Sequence, residues 1–208
     1  MNRMNGAVSM RAVREMLVIV AGVLIALSAE AWWEDRSDRE IEAEILADLL
    51  EDFRASRDVL LTDIERNEGS LEASRGILDY RATELPADSL ATLTWRSWGT
   101  SRFDPVAGVL TSIVSSGQVN LIEDAELRRD LASWLNNVEE ARLTFQAVDR
   151  HFAISKALHF QFQYDGSPKE QIYLAGPIGR MEAVLRRQRA VLAHTERLIA
   201  NLGQMVVQ

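Results

Sequence analysis

The sequence predicts an all-α protein, in which one N-terminal transmembrane helix continues into an extramembrane antiparallel bundle of long helices. Three observations carry that expectation. A charge-free run, MLVIVAGVLIALSA, occupies Met16 to Ala29. Beyond it, apolar residues recur at spacings of three and four, and no stretch alternates with period two for long enough to argue a sheet. Glycine and proline are absent from residues 23–68 and 118–165, so nothing in either stretch obliges a helix to stop.

Composition narrows the function. The 208 residues are 47% hydrophobic and 26% charged, which fits neither a disordered chain nor a polytopic membrane protein. With 23 basic and 31 acidic residues the net charge is -8, the wrong sign for a nucleic-acid partner. The absence of cysteine excludes disulfides, thiolate metal sites, cysteine nucleophiles and a lipid-bearing N-terminal cysteine.

Residues 1–15 form a short basic segment carrying Arg3, Arg11 and Arg14. Residues 16–33 read as the membrane anchor, with Leu17, Val20, Leu24 and Leu27 as its lipid-facing body and Trp32 and Trp33 as an aromatic end at headgroup level. At 1.5 Å per residue the segment is about 27 Å long, near the lower limit for a span. Its rival is a secretory signal peptide, because Ala29, Glu30 and Ala31 make an A-x-A pattern behind a basic and then an apolar region. The uncleaved anchor is the expected form. Three arginines before the span, against Arg36 and Arg39 in an acidic stretch after it, favour a cytoplasmic N-terminus and a periplasmic bundle at the inner membrane.

Residues 34–208 read as the bundle. Leu46, Leu49, Phe53, Leu60, Ile64, Leu71 and Leu78 keep helical spacing, with Ser56, Asn67 and Ser74 at the intermediate places. From Glu34 to Tyr80 there are 15 acidic and 6 basic residues, so this helix carries about -9. Residues 81–104, punctuated by Pro86 and Gly99, read as a long connection. Asp104 and Pro105 look like the N-cap and first turn of a short helix that Gly117 ends, and Gln118 to Ile122 like a short extended piece. After Asp124, a plausible N-cap, Leu127, Leu131, Trp134, Val138, Ala141, Phe145, Val148, Phe152, Ser155 and His159 follow at strict four-three spacing. Gly166, Ser167 and Pro168 end that helix. Gly176 and Pro177 open another, with a seam of Ile178, Met181, Leu185, Gln188, Leu192, Thr195, Ile199, Leu202 and Val206. Five arginines against two glutamates make this last helix basic, which favours a place beside the acidic one.

Catalytic signatures are missing. The three histidines are scattered: His151 and His159 lie about 12 Å apart along a helix, too far to share a metal without other ligands, and His194, beside Glu196 and Arg197, reads as exposed. Adjacent carboxylates such as Glu51 and Asp52, or Glu139 and Glu140, diverge on a helix and read as solvated surface. No nucleophile elbow, phosphate loop or zinc-helix motif occurs, so no enzyme activity, cofactor, metal or small-molecule substrate is expected. The best candidate for function is the connection bearing Trp95, Arg96, Trp98, Arg102 and Phe103, since tryptophan and arginine dominate interface energetics. The alternative is that these rings cap the bundle core.

Residues 14–27, followed by Trp33, Glu34, Asp35 and Arg36, resemble the opening of a bacterial family of unknown function that combines a Gly-Ile-Leu-Ile-Ala-Leu type span, a tryptophan-acid-arginine exit and a long acidic helix. Leu110 to Leu131, with Ser116-Gly117, Leu121-Ile122 and Glu126-Leu127-Arg128, is similar to a second block of it. Ala29, Glu30 and Ala31 stand where that family carries polar amides. The resemblance implies a single-span helical protein and supplies no catalytic residue. The chain also resembles the extra subunits that hold a bacterial photosynthetic reaction centre inside its antenna ring; residues 16–33 contain no histidine, so bacteriochlorophyll ligation through imidazole is not expected.

These readings converge on an accessory or scaffold subunit that touches lipid through residues 16–33 and other subunits of a membrane complex through its bundle. An extracytoplasmic ligand-sensing or signalling module is the second expectation. A polar pocket between the helices would favour it.

Overall fold

A computed structural model describes residues 4–79, 86–161 and 168–207. These form α1 (Met4–Asp79), α2 (Ala87–Ser97), α3 (Gly108–Ser116), a single 3-10 turn (Gln118–Leu121), α4 (Ala125–Gln161) and α5 (Pro168–Met205). The protein is all-helical, with no strand among the described residues. It divides into two compact units, Met1–Ile45 and Leu46–Gln208.

The first unit holds the apolar part of α1. Its most apolar 18-residue window has a mean hydropathy of 2.0 and none of it is buried, so one helix is long and apolar enough to cross a membrane. Leu17, Leu24, Leu27, Trp32 and Trp33 are all more than half exposed and Val20 is 44% exposed. In water each large apolar side chain left uncovered would forgo about 1.5–3 kcal/mol. Ser28 turns its hydroxyl back onto the Leu24 carbonyl at 2.7 Å, which removes a free donor from the apolar surface. Just past the tryptophans the helix becomes salt-bridged, Arg36 to Glu40 at 3.1 Å and Arg39 to Asp35 at 2.9 Å.

The second unit has its own core. Ile64 and Leu71 of α1, Phe145 and Val148 of α4, and Met181, Val184 and Leu185 of α5 form one cluster, with Trp98, Ile178 and Leu192 packed against it. Near Phe53 the core centres on Trp134, which meets the Phe53 ring edge-on at 4.9 Å and donates its indole N–H to Thr195 at 2.9 Å. The α4 seam holds as far as it is described: Leu127, Leu131, Trp134, Ala141, Phe145 and Val148 are buried and Val138 is half-buried. The side chains of Phe152, Ser155 and His159, and of His151, lie outside the described residues.

On α5 the buried arc is wider than a single seam. Val184, Val191, His194 and Leu198 are buried along with Met181, Leu185, Gln188, Thr195 and Leu202. A helix that packs against one neighbour hides a narrow stripe, whereas α5 meets both α1 and α4. This corrects the placement of His194 on the surface: it is 3% exposed.

Three boundaries also differ from expectation. Residues 87–97, inside the stretch read as a connection, are helical. Residues 118–121 form a 3-10 turn instead of an extended piece, and only Ile122 after them is extended. Helix α5 begins at Pro168 and runs through Gly176 and Pro177. Proline is well suited to the first helical position, where its missing N–H is unpaired anyway. The stop at Gly117 is as expected, with φ of 80° in the left-handed region. Asp124 caps α4, its Oδ1 accepting from the N–H groups of Glu126 at 2.7 Å and Leu127 at 3.0 Å.

Candidate functional site

From Trp98 to Ala107 the chain between α2 and α3 has no regular structure, yet Ser101 and Phe103 on it are buried. Backbone polar groups hidden without secondary structure must find other partners. Helix α1 supplies them. Ser56 Oγ donates to the Val106 carbonyl at 2.7 Å, and Ser70 Oγ to the Ser97 carbonyl at 2.6 Å. Asn67 takes both backbone groups of Ser101, its Oδ1 accepting from the N–H at 2.9 Å and its Nδ2 donating to the carbonyl at 3.2 Å. The same Nδ2 donates to Gln188 Oε1 of α5 at 3.0 Å. Residues 98–107 are therefore a strap tied along α1.

Asp52 completes the attachment, its Oδ2 accepting from the Val109 N–H at 2.9 Å. Val109 is in the first turn of α3, so a carboxylate from α1 serves the helix end that Asp104 was expected to cap. The helix accordingly starts at Gly108 and not at Pro105. Each of these bonds is worth a net of about 0.5–1.5 kcal/mol, and losing one partner leaves a buried group that costs about 1–3 kcal/mol.

Asp63 lies at the middle of the attachment and is only 5% exposed. The Ser101 hydroxyl donates to its Oδ1, and no partner reaches its Oδ2 among the described residues. Burial pushes the Asp63 carboxyl above the usual carboxylate range, against the Ser101 hydrogen bond and the Arg66 charge, which pull it down; Asp104 adds to the rise. A second buried titratable group is His194. Its Nδ1 stands 3.0 Å from Asn137 Nδ2 and its Nε2 has no partner among the described residues. Burial, with help from Arg197, holds His194 below the ordinary histidine value, while Asp130 opposes the shift.

The five candidate interface residues separate. Trp95 is 64% exposed at the end of α2, Arg96 and Arg102 are exposed, and Trp98 is half-buried against the core. The Trp95 and Trp98 rings meet edge-on at 5.8 Å. Phe103 is 2% exposed and belongs to the core, so the expectation that all five share one surface is corrected. The reason is local: an extended chain points successive side chains to opposite sides, and Ser101 and Phe103 go in while Arg102 and Asp104 go out. Helix α2 lies close to two glycines of α1. A side-chain carbon at Gly69 would stand 3.7 Å from Arg96 Nη2, and one at Gly76 would stand 3.8 Å from a Leu93 methyl.

An open groove of about 510 Å³ runs between α1 and α5, with Leu71 and Leu185 on its floor. Arg75 and Glu182, at 2.6 Å, and Arg189 and Glu68, at 2.5 Å, pair across it. No group of three or more histidine and carboxylate side chains could hold a metal among the described residues. Comparison with family models, with curated proteins and with solved structures found no match.

Proposed function

We propose that this chain is a membrane-anchored, non-catalytic accessory subunit that braces a larger membrane-protein complex. The observation that carries the proposal is the joining, in one chain, of a wholly uncovered apolar segment, residues 16–33, to a unit that closes its own core. The first needs lipid. The second presents a charged exterior with Trp95, Arg96 and Arg102 exposed on it, a combination suited to protein contact. The positive residues Arg3, Arg11 and Arg14 favour a cytoplasmic N-terminus, and with it a periplasmic second unit at the inner membrane.

Within the second unit we read α1 from Leu46 onward, α4 and α5 as an antiparallel three-helix bundle. Rising numbers on one helix meet falling numbers on the next: 68 and 75 pair with 189 and 182, and 134, 137 and 140 pair with 195, 194 and 187.

The ligand-sensing reading has one observation in its favour, the buried polar cluster at Asp63, Asn67 and Gln188. Most of that cluster's hydrogen bonds go to the strap, which supports a structural use of it. Gentle solubilisation of the intact chain and identification of what copurifies tests the proposal. Stoichiometric recovery with a membrane complex supports it, and recovery of the chain alone at native abundance contradicts it. A photosynthetic reaction-centre complex has the sequence resemblance as its only support, and the same experiment decides it.

A further inference from the structure

We propose that Asp63 is an acid-operated latch on the strap of residues 98–107: with its carboxyl protonated the strap lies closed along α1, and with it ionised the strap opens at Ser101 and Phe103. The geometry is that of a carboxyl backed into the core. One oxygen receives the Ser101 hydroxyl, the other receives nothing among the described residues, and the residue is almost fully hidden from water. An ionised carboxylate there gives up its hydration for a single hydrogen bond. Opening the strap rehydrates it.

The groups that face this carboxyl do not neutralise it. On α1 itself Arg66 attracts it, and on the strap Asp104 repels it. Among the described residues of α5 the polar cluster receives the uncharged Gln188, and the adjacent Arg189 is tied to Glu68. The remaining ties on the strap, from Ser56 and Asn67, and that of Ser70 to the end of α2 are uncharged hydrogen bonds; the Asp52 carboxylate holds Val109 in the first turn of α3, beyond the strap. The uncharged ties favour closure equally at every pH and leave Asp63 to set the balance between closed and open.

The sign follows from linkage. A closed-state carboxyl raised above its open-state value means that closure binds protons, so closure is strongest in acid. It weakens by up to about tenfold per pH unit as pH rises from the ordinary carboxylate range towards the closed-state value, then levels off.

Amide hydrogen exchange at Ser101 reads the latch directly, because its N–H is held by Asn67 only while the strap is closed. The full chain in detergent micelles is measured between pH 4.5 and 7.5, with exchange expressed as protection relative to the unstructured peptide. Protection at Ser101 is expected to be highest at pH 4.5 and to fall with rising pH, while that of α4 amides near Leu131 does not follow it. Asp63→Asn should hold protection high and flat. Ser101→Ala, which removes the hydroxyl that stabilises the ionised form, should move the midpoint to higher pH. A wild-type profile flat across the range, or an Asp63→Asn profile that falls as the wild type does, overturns the latch.

Discussion

Residues 16–33 and the inner face of α1 beyond Leu46 invert each other's polarity. The first stretch is apolar and entirely exposed; the second hides Ser56, Asp63, Asn67, Ser70 and Ser74 among its leucines and isoleucines. Each inversion has a physical cause that lies off the helix. An uncovered apolar surface calls for a solvent other than water, while Ser56, Asp63 and Asn67 answer a neighbouring strap that no helix or sheet ladder supplies with partners, Ser70 takes the last carbonyl of α2, and Ser74 bonds back to Ser70. One helix thus carries two kinds of surface, an uncovered apolar one and one that a strap covers.

The comparison breaks most completely if the apolar stretch is made polar. Replacing Val20 and Leu24 together by arginine adds about 2.5–3.5 kcal/mol per residue to insertion, and the chain should move from the membrane pellet to the soluble fraction. Far-UV circular dichroism should show the second unit still helical. Trp134→Ala attacks the other side: the ring is fully buried, packs on Phe53 and donates to Thr195, so its loss should lower unfolding stability by about 3–5 kcal/mol in a denaturant titration. Asn67→Ala removes both ties to Ser101 and the bond to Gln188, with an expected loss of about 1–3 kcal/mol and faster tryptic cutting after Arg102.

His194 sharpens the contrast through pH. Its folded-state value is depressed, so the folded state binds fewer protons than the unfolded one. Stability should therefore decline as pH falls through about 6.5 and level off below the folded value, a slope opposite in sign to that of Asp63. His194→Gln should flatten it in thermal melts across pH 5 to 8. The smallest effect is expected at the groove: Arg189 and Glu68 are both about half exposed, and Arg189→Ala should change stability by less than about 1 kcal/mol.

The apolar segment was legible because sequence alone sets its hydropathy, and the α4 seam because one spacing rule ran through it without a break. The strap was not. Ser56, Asn67 and Ser74 are visible as polar intrusions in an apolar pattern, and Ser56, Asp63 and Ser70 recur every seven residues, as Asn67 and Ser74 do. That repeat marks a second polar line on α1, but Ser56, Asn67 and Ser70 on it bond backbone groups 27 to 50 residues away, which no local pattern names. His194 and Phe103 were misplaced for related reasons. A strict seam assumes one neighbouring helix where α5 has two, and a connection taken as a single surface ignores the alternation of an extended chain.

The measurement that bears most directly on the account is the fate of the intact chain after alkaline carbonate washing of membranes, followed by determination of its N-terminal residue. An anchored chain still carries residues 16–33, resists the wash and comes out only with detergent. A soluble form that begins at Trp32, just past Ala31, would contradict it.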